Sequence, residues 1–142
     1  MKVAALLLAL LVIPALAKTK PAPQHAPLPD TILHAKTVYL LNRTGQQDVL
    51  DRAYVQFQKW GRFTVVQDKD AADLIVVFTH QSGDFRGTTV GFTEMEVFAK
   101  GESHVAYQVT KQNRVGYWTR PSPTTGDTNA VMSCVEDFEH RL

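Results

Sequence analysis

The chain has a single cysteine, Cys134, in 142 residues, so no internal disulfide can staple it and its stability must come from a packed core. Charge is nearly balanced, 15 basic against 14 acidic residues, so nothing in it argues for a nucleic-acid or anionic-membrane binder, and neither is expected as a partner. The five histidines, at 25, 34, 80, 104 and 140, include no close pair and no helical i, i+4 pair, so no zinc motif can be read from them. His80 with Asp84 comes nearest to an acid/base pair. There is no nucleophile-elbow serine and no isolated pair of carboxylates of the glycosidase kind, and the sequence names no catalytic residue, metal or cofactor.

One long hydrophobic run is present, and only at the start. MKVAALLLALLVIPALA carries Lys2, an apolar stretch from Val3 to Leu16 and small residues at Ala15 and Ala17. This is the pattern of a secretory signal peptide, residues 1–17, cleaved after Ala17. A membrane span needs about 20 apolar residues, and Pro14, Lys18 and Lys20 interrupt this run too early. Export to the periplasm or the exterior is expected, with no transmembrane span in the mature chain. Residues 18–33 then hold prolines at 21, 23, 27 and 29 and read as a linker.

Residues 34–142 read as one α/β (α+β) domain. Lys36–Asn42 is rich in β-formers and too short for a helix, which makes it a buried first strand. From Gln46 to Trp60 the apolar residues Val49, Leu50, Ala53, Tyr54, Phe57 and Trp60 recur every three or four positions, the stripe of an amphipathic helix. Thr44 and Gln47 suggest its capping box and Gly61 its left-handed stop. Arg62–Gln67 and Leu74–His80 read as strands joined by a step too short for a crossover helix, so they are expected to run antiparallel.

The glycines at 83, 87 and 91 suggest a flexible connection or weak hairpin over residues 81–93. Glu94–Lys100, His104–Thr110 and Arg114–Arg120, the first two with clear alternation, then read as a three-stranded antiparallel meander, in which Tyr107, Tyr117 and Trp118 are expected to pack. Val131, Cys134, Val135, Phe138 and Leu142 mark a closing helix from Asn129, capped by Asp127 or Thr128, with Cys134 on its apolar face. The expected fold is a two-layer α/β sandwich of order β-α-β-β-β-β-β-α, a mixed and largely antiparallel sheet with two helices on one face.

The segment QDKDAADLIVVF carries the densest chemistry. Asp68, Asp70 and Asp73 have the alternate spacing of oxygen ligands for a hard cation, yet the glycine and distal glutamate of a calcium loop are missing. The same residues suit a capped turn in front of a buried strand. With the first two strands parallel, Arg43 and the acidic segment are expected together at the carboxyl ends of the strands, where open α/β sheets bind ligands. Arg43, Asp68, Asp70 and Asp73 are therefore the candidate ligand-binding residues. Asn42-Arg43-Thr44 also matches the glycosylation acceptor pattern.

The order of elements resembles the small α/β domains of exported Gram-negative envelope proteins, such as the curli-assembly lipoprotein, the amino-terminal domain of the Tol translocation protein and related lipoproteins of unknown function. The strand Thr37–Leu41, the helix end Lys59-Trp60-Gly61, the step Ala72-Asp73-Leu74, the Tyr107–Trp118 hairpin and the closing helix carry the resemblance. It implies an envelope location and a protein-binding or assembly role without catalysis, with another envelope protein as partner. This chain lacks the lipidated cysteine of those lipoproteins. Two alternatives stand beside this reading: a small metal-dependent hydrolase using the acidic turn at 68–73, and a homo-oligomeric structural envelope protein.

Overall fold

The computed structural model describes residues 25–85, 88–112 and 123–142. The expected leader, residues 18–24 of the linker, and the expected strand Arg114–Arg120 with Tyr117 and Trp118 lie outside the described residues.

Among the described residues eight elements follow in order: α1 (Asp30–Leu33), β1 (Thr37–Asn42), α2 (Gln47–Trp60), β2 (Thr64–Val65), β3 (Leu74–Phe85), β4 (Thr88–Ala99), β5 (Tyr107–Gln112) and α3 (Pro123–Arg141). The five strands form one mixed sheet of order β2-β1-β3-β4-β5. β1 pairs in parallel with β2 and β3, and β3–β4 and β4–β5 are antiparallel. This is the expected α+β domain, with antiparallel pairing over most of its ladder.

Side chains alternate cleanly between the two faces of the sheet. One face presents Val38, Leu40, Leu74, Val76, Phe78, Met95, Val97 and Ala99, and α2 and α3 lay Val49, Ala53, Phe57, Val131, Cys134, Val135 and Phe138 on it. Ile32 of α1 joins the same cluster and is fully buried. The residues before it are held as well: Leu28 packs on the core, and the Arg141 guanidinium donates to the carbonyl of Ala26 at 2.6 Å.

Where α2, α3 and β5 meet, five aromatic rings interlock around Phe138. Its ring stacks on Tyr107 with centroids 4.9 Å apart and on Phe63 at 6.1 Å, and Trp60 meets it edge-on at 5.6 Å. Phe57 closes the group against Trp60 and Phe63. The expectation that Tyr107 packs in the core is met, and burial together with the Asp137 carboxylate pushes its phenol up to about 12.

Several local expectations are corrected. α2 stops at Gly61 as its pattern predicts, with φ at 72° and its N–H on the carbonyl of Phe57, a backbone state that favours glycine. Its start differs, because Gln46 is the N-cap and makes no side-chain cap bond. The Thr44 hydroxyl instead accepts the N–H of Gln46 at 3.2 Å and donates to Asn42 Oδ1 at 2.7 Å. α3 begins at Pro123, six residues before the expected Asn129, with proline at the first helical position where its missing N–H costs nothing. Residues 81–85 and 88–93 form the outer arms of the antiparallel β3–β4 pair, whose register runs from Leu74↔Ala99 to Phe85↔Thr88.

The main topological correction concerns β2 and β3. The sequence predicts them as antiparallel neighbours, but they lie on opposite sides of β1 and both run parallel to it. A parallel return of this kind ordinarily needs a dozen or more residues. Here β2 is only two residues long, so the chain has little height to recover before β3 begins.

Phe138 sits where three elements converge, so Phe138→Ala is expected to cost about 3–5 kcal/mol in urea unfolding, the range for truncating a buried aromatic. A loss below about 1 kcal/mol would contradict this packing.

Candidate functional site

The start of β3 explains the acidic segment. Ala71 N–H bonds the carbonyl of Asp68 and Ala72 N–H that of Lys69, making one tight turn. Asp68 Oδ1 accepts the N–H of Asp70 at 2.9 Å. Asp73 then reaches across to β1, its Oδ2 accepting the backbone N–H groups of Lys36 at 2.8 Å and Thr37 at 3.0 Å. Thr37 answers with its hydroxyl, which accepts the N–H of Asp73 at 2.9 Å and donates to the carbonyl of Ala71 at 3.3 Å. Lys100, past the end of β4, sends its ammonium to the carbonyl of Asp70 at 2.6 Å and its backbone N–H to that of Asp73 at 2.8 Å.

Asp68 and Asp73 thus spend carboxylate oxygens on backbone donors, while the Asp70 side chain is exposed. The Lys36 N–H first, and then that of Thr37, hold the Asp73 carboxyl below its ordinary value of 3.8.

Arg43 is elsewhere. Its N–H bonds the carbonyl of Phe78 at 2.8 Å, beyond the last residue of β1, whereas Asp73 grips the first. The strand rise separates those ends by roughly 20 Å. The acidic segment leaves the carboxyl end of β2 but finishes at the amino ends of β1 and β3. The four candidates therefore do not converge on one ligand, and no group of three or more metal-binding side chains occurs among the described residues.

The neighbouring expectations resolve in similar ways. The Asn42 amide is engaged at both ends, donating to the carbonyl of Gln46 at 2.6 Å and accepting from Thr44, an organising role for the residue of the glycosylation pattern. His80 and Asp84 share a face of β3 but stand four residues apart, roughly 13 Å, too far for an acid/base couple. His80 instead meets the Ser82 hydroxyl at 3.1 Å. Cys134 is fully buried with Sγ 3.7 Å from the carbonyl of Thr93, and burial raises its thiol to about 12, so it stays protonated at neutral pH.

Two surfaces went unread in the sequence. The first is the sheet face turned away from α2 and α3, on which no described helix packs. Tyr39, Leu41, Ile75, Val77 and Phe98 form its apolar part, with Phe98 directly opposite Ile75 and Ile75 opposite Tyr39. Beside them lies a polar stripe of Glu94, Glu96, Gln81 and Gln108, where both glutamine amides donate to the buried carboxylate of Glu94. Alternation of apolar residues on the second face was the available signal, in Tyr39, Leu41, Ile75 and Val77.

The second surface is a groove of about 360 Å³ between α2 and the β2 edge, lined by Tyr39, Leu40, Leu50, Asp51, Tyr54 and Val65 among others. It had no sequence signal, because Arg62–Gln67 has the composition of a full strand.

No family model and no curated protein matches the chain. Among solved structures it is similar to a point variant of the PelC dodecamer of Paraburkholderia phytofirmans, with a TM-score of 0.51 and 15% identity over 73% of this chain and 87% of that one. A second PelC dodecamer structure from the same organism gives 0.49 at 14% identity, over 73% and 86% of the two chains. A minor lipoprotein of Acinetobacter baumannii gives 0.42 at 10%, over 75% and 89%. At these identities the first match shows a shared fold.

Two outcomes follow. Asp73→Asn keeps the shape but removes the charge, and is expected to cost about 1 kcal/mol at pH 7, the low end for a charge-assisted bond because the group faces solvent. Since the folded-state pKa is the depressed one, this stabilisation is complete above 3.8 and vanishes as pH falls through the folded value. Denaturant midpoints of the two proteins should therefore draw together at low pH, and a gap of equal size at acid and neutral pH would refute the assignment. Cys134 should react with a thiol reagent only in denaturant; full labelling of the native protein would show that it is not buried.

Proposed function

We propose that the chain is an exported, non-catalytic envelope protein that works by associating with other protein chains, as a binding or assembly component. The observation that carries this reading is the sheet face on which no described helix packs. Tyr39, Leu41, Ile75 and Phe98 remain only partly buried there, in contact across β1, β3 and β4, and Val77 between them is 5% exposed. A two-layer fold normally buries one sheet face and solvates the other with polar side chains. A contiguous apolar patch on the second face is instead what an interaction surface requires.

The signal-peptide pattern of residues 1–17 supports export, and the absence of a membrane-crossing helix among the described residues is compatible with it. Within this reading, self-association is the form favoured by comparison, since the Paraburkholderia chain that shares the fold is described as a dodecamer. The polar stripe around Glu94 would set the register of such a contact, because a misplaced apolar neighbour would leave that carboxylate short of partners.

Light scattering coupled to size exclusion tests the reading. The mature chain is expected to run as an oligomer, or to retain an envelope protein on pull-down, and Phe98→Glu is expected to abolish either association by placing a charge in the apolar patch while the monomer stays folded. A strictly monomeric chain that retains no partner would sink the proposal. Mass analysis of exported protein is expected to show Lys18 as the first residue.

A further inference from the structure

We infer that the upper half of β1, from Leu40 to Asn42, is an acceptor edge for an added β-strand, and that its occupant is an extended peptide with an apolar and a basic side chain two residues apart. The inference rests on the reading of this chain as an association protein, but it uses a different surface from the sheet face.

In a parallel strand, backbone groups of alternate residues point to opposite neighbours. On β1 the carbonyls of Lys36 and Val38 accept the N–H groups of Thr64 and Val66 on the β2 side, whereas the N–H of Arg43 goes to Phe78 on the β3 side. The N–H and C=O of Leu40, and the N–H of Asn42, therefore face β2. The ladder with β2 covers only Thr37↔Thr64 and Val38↔Val65, then ends with the bond from Val66 to Val38. Above that point β1 pairs only with β3 among the described residues. The backbone N–H and C=O of Leu40 thus have no sheet partner on the β2 side among the described residues.

The groove described above opens beside these unpaired groups, which is where a continuing strand would lie. Its far wall is α2, contributing Leu50, Asp51 and Tyr54, and its floor is Leu40 and Val65. Tyr54 is 44% exposed, a large ring on the solvent side of a helix that packs nothing in the core. The backbone edge demands alternating donors and acceptors, which an extended peptide supplies and a compact small molecule does not. Alternate residues of such a strand point toward α2. One would fill the apolar space between Leu50, Tyr54 and Val65. The next on that side would reach Asp51, the only charged side chain lining the groove among the described residues, which selects a basic partner.

Amide exchange of the full mature chain, with and without peptide, tests this. In the free protein the Leu40 amide is expected to exchange at least about tenfold faster than those of Tyr39 and Leu41, which face β3. A displayed library of random short peptides, panned on the chain, is expected to enrich apolar-x-basic alternation. The selected peptides should slow Leu40 exchange, and Asp51→Lys should switch the preference from basic to acidic. A Leu40 amide as protected as its neighbours in the free chain overturns the inference, as does a selection with no enrichment over an unrelated protein, or one whose peptides leave Leu40 exchange unchanged. Asp51 and Tyr54 lie on the exposed side of α2, so Asp51→Lys and Tyr54→Ser are expected to fold; loss of peptide binding in Tyr54→Ser supports the groove, and unchanged binding counts against it. Phe98→Glu is expected to leave peptide binding intact, which separates this surface from the sheet face.

Discussion

The Asp73 carboxylate closes on the backbone N–H groups of Lys36 and Thr37 at the entry to β1, and the Thr37 hydroxyl closes on Asp73 in return. That reciprocal grip sets where β3 enters beside β1, and with it the register Val38↔Leu74 to Asn42↔Phe78. A one-residue slip would turn Leu74, Val76 and Phe78 out of the core and Ile75 and Val77 into it. Both sets are apolar, so hydrophobic pattern alone discriminates the two registers poorly. A polar clamp with fixed donors does what the alternation cannot, and everything stacked on β3, including the long hairpin with β4, inherits its choice.

The same ambiguity gives the sheet two usable faces. One is filled by α2, α3 and the aromatic group around Phe138, and its residues were largely legible from periodicity: Val49, Ala53 and Phe57 in the first helix, Val131, Cys134, Val135 and Phe138 in the last. The other is apolar over β1, β3 and the near end of β4, and polar toward β5, where Gln81 and Gln108 hold Glu94. A buried carboxylate held by two neutral amides is costly to rearrange. The polar stripe is therefore the rigid part of that face, and the apolar part beside it is the adhesive one.

What the sequence concealed follows a physical pattern. Local features are readable wherever one residue carries its own conformational preference, as Gly61 does at a left-handed stop. They fail where a long-range partner decides. Thr44 is a good cap in isolation, but Asn42 and the entry geometry of α2 redirect its hydroxyl. Pro123 opens α3 although Thr124, Thr125 and Gly126 are poor helix formers, since packing of the later turns carries the helix. The candidate site depends most on such partners. Asp68, Asp70 and Asp73 do form a capped turn, but grouping Arg43 with them assumes that the turn stays at the carboxyl ends of the strands. Residues 66–73 carry the chain back to the amino ends instead.

That return also accounts for the open edge of β1. A connection of residues 66–73 can join two parallel strands without a crossover helix only if the first strand climbs almost nothing before it turns back. Had β2 paired along all of β1, the link would have had to descend roughly 20 Å across a sheet edge, consuming most of its contour length and leaving no residues for the Asp68–Asp73 turn. The clamp on β1 and a full-length β2 are thus mutually exclusive for this chain. By choosing the clamp, the fold leaves Leu40 and Asn42 facing a lane that no described strand fills, beside the α2 wall of Leu50, Asp51 and Tyr54. Such an edge invites pairing unless it is blunted by charge, proline or a bulge; among the described residues lining the groove only Asp51 is charged, and it lies on α2 rather than on the edge strand. The groove is in this sense a consequence of how the first three strands are joined, and its filling by another strand completes a sheet that the chain's own connectivity cannot.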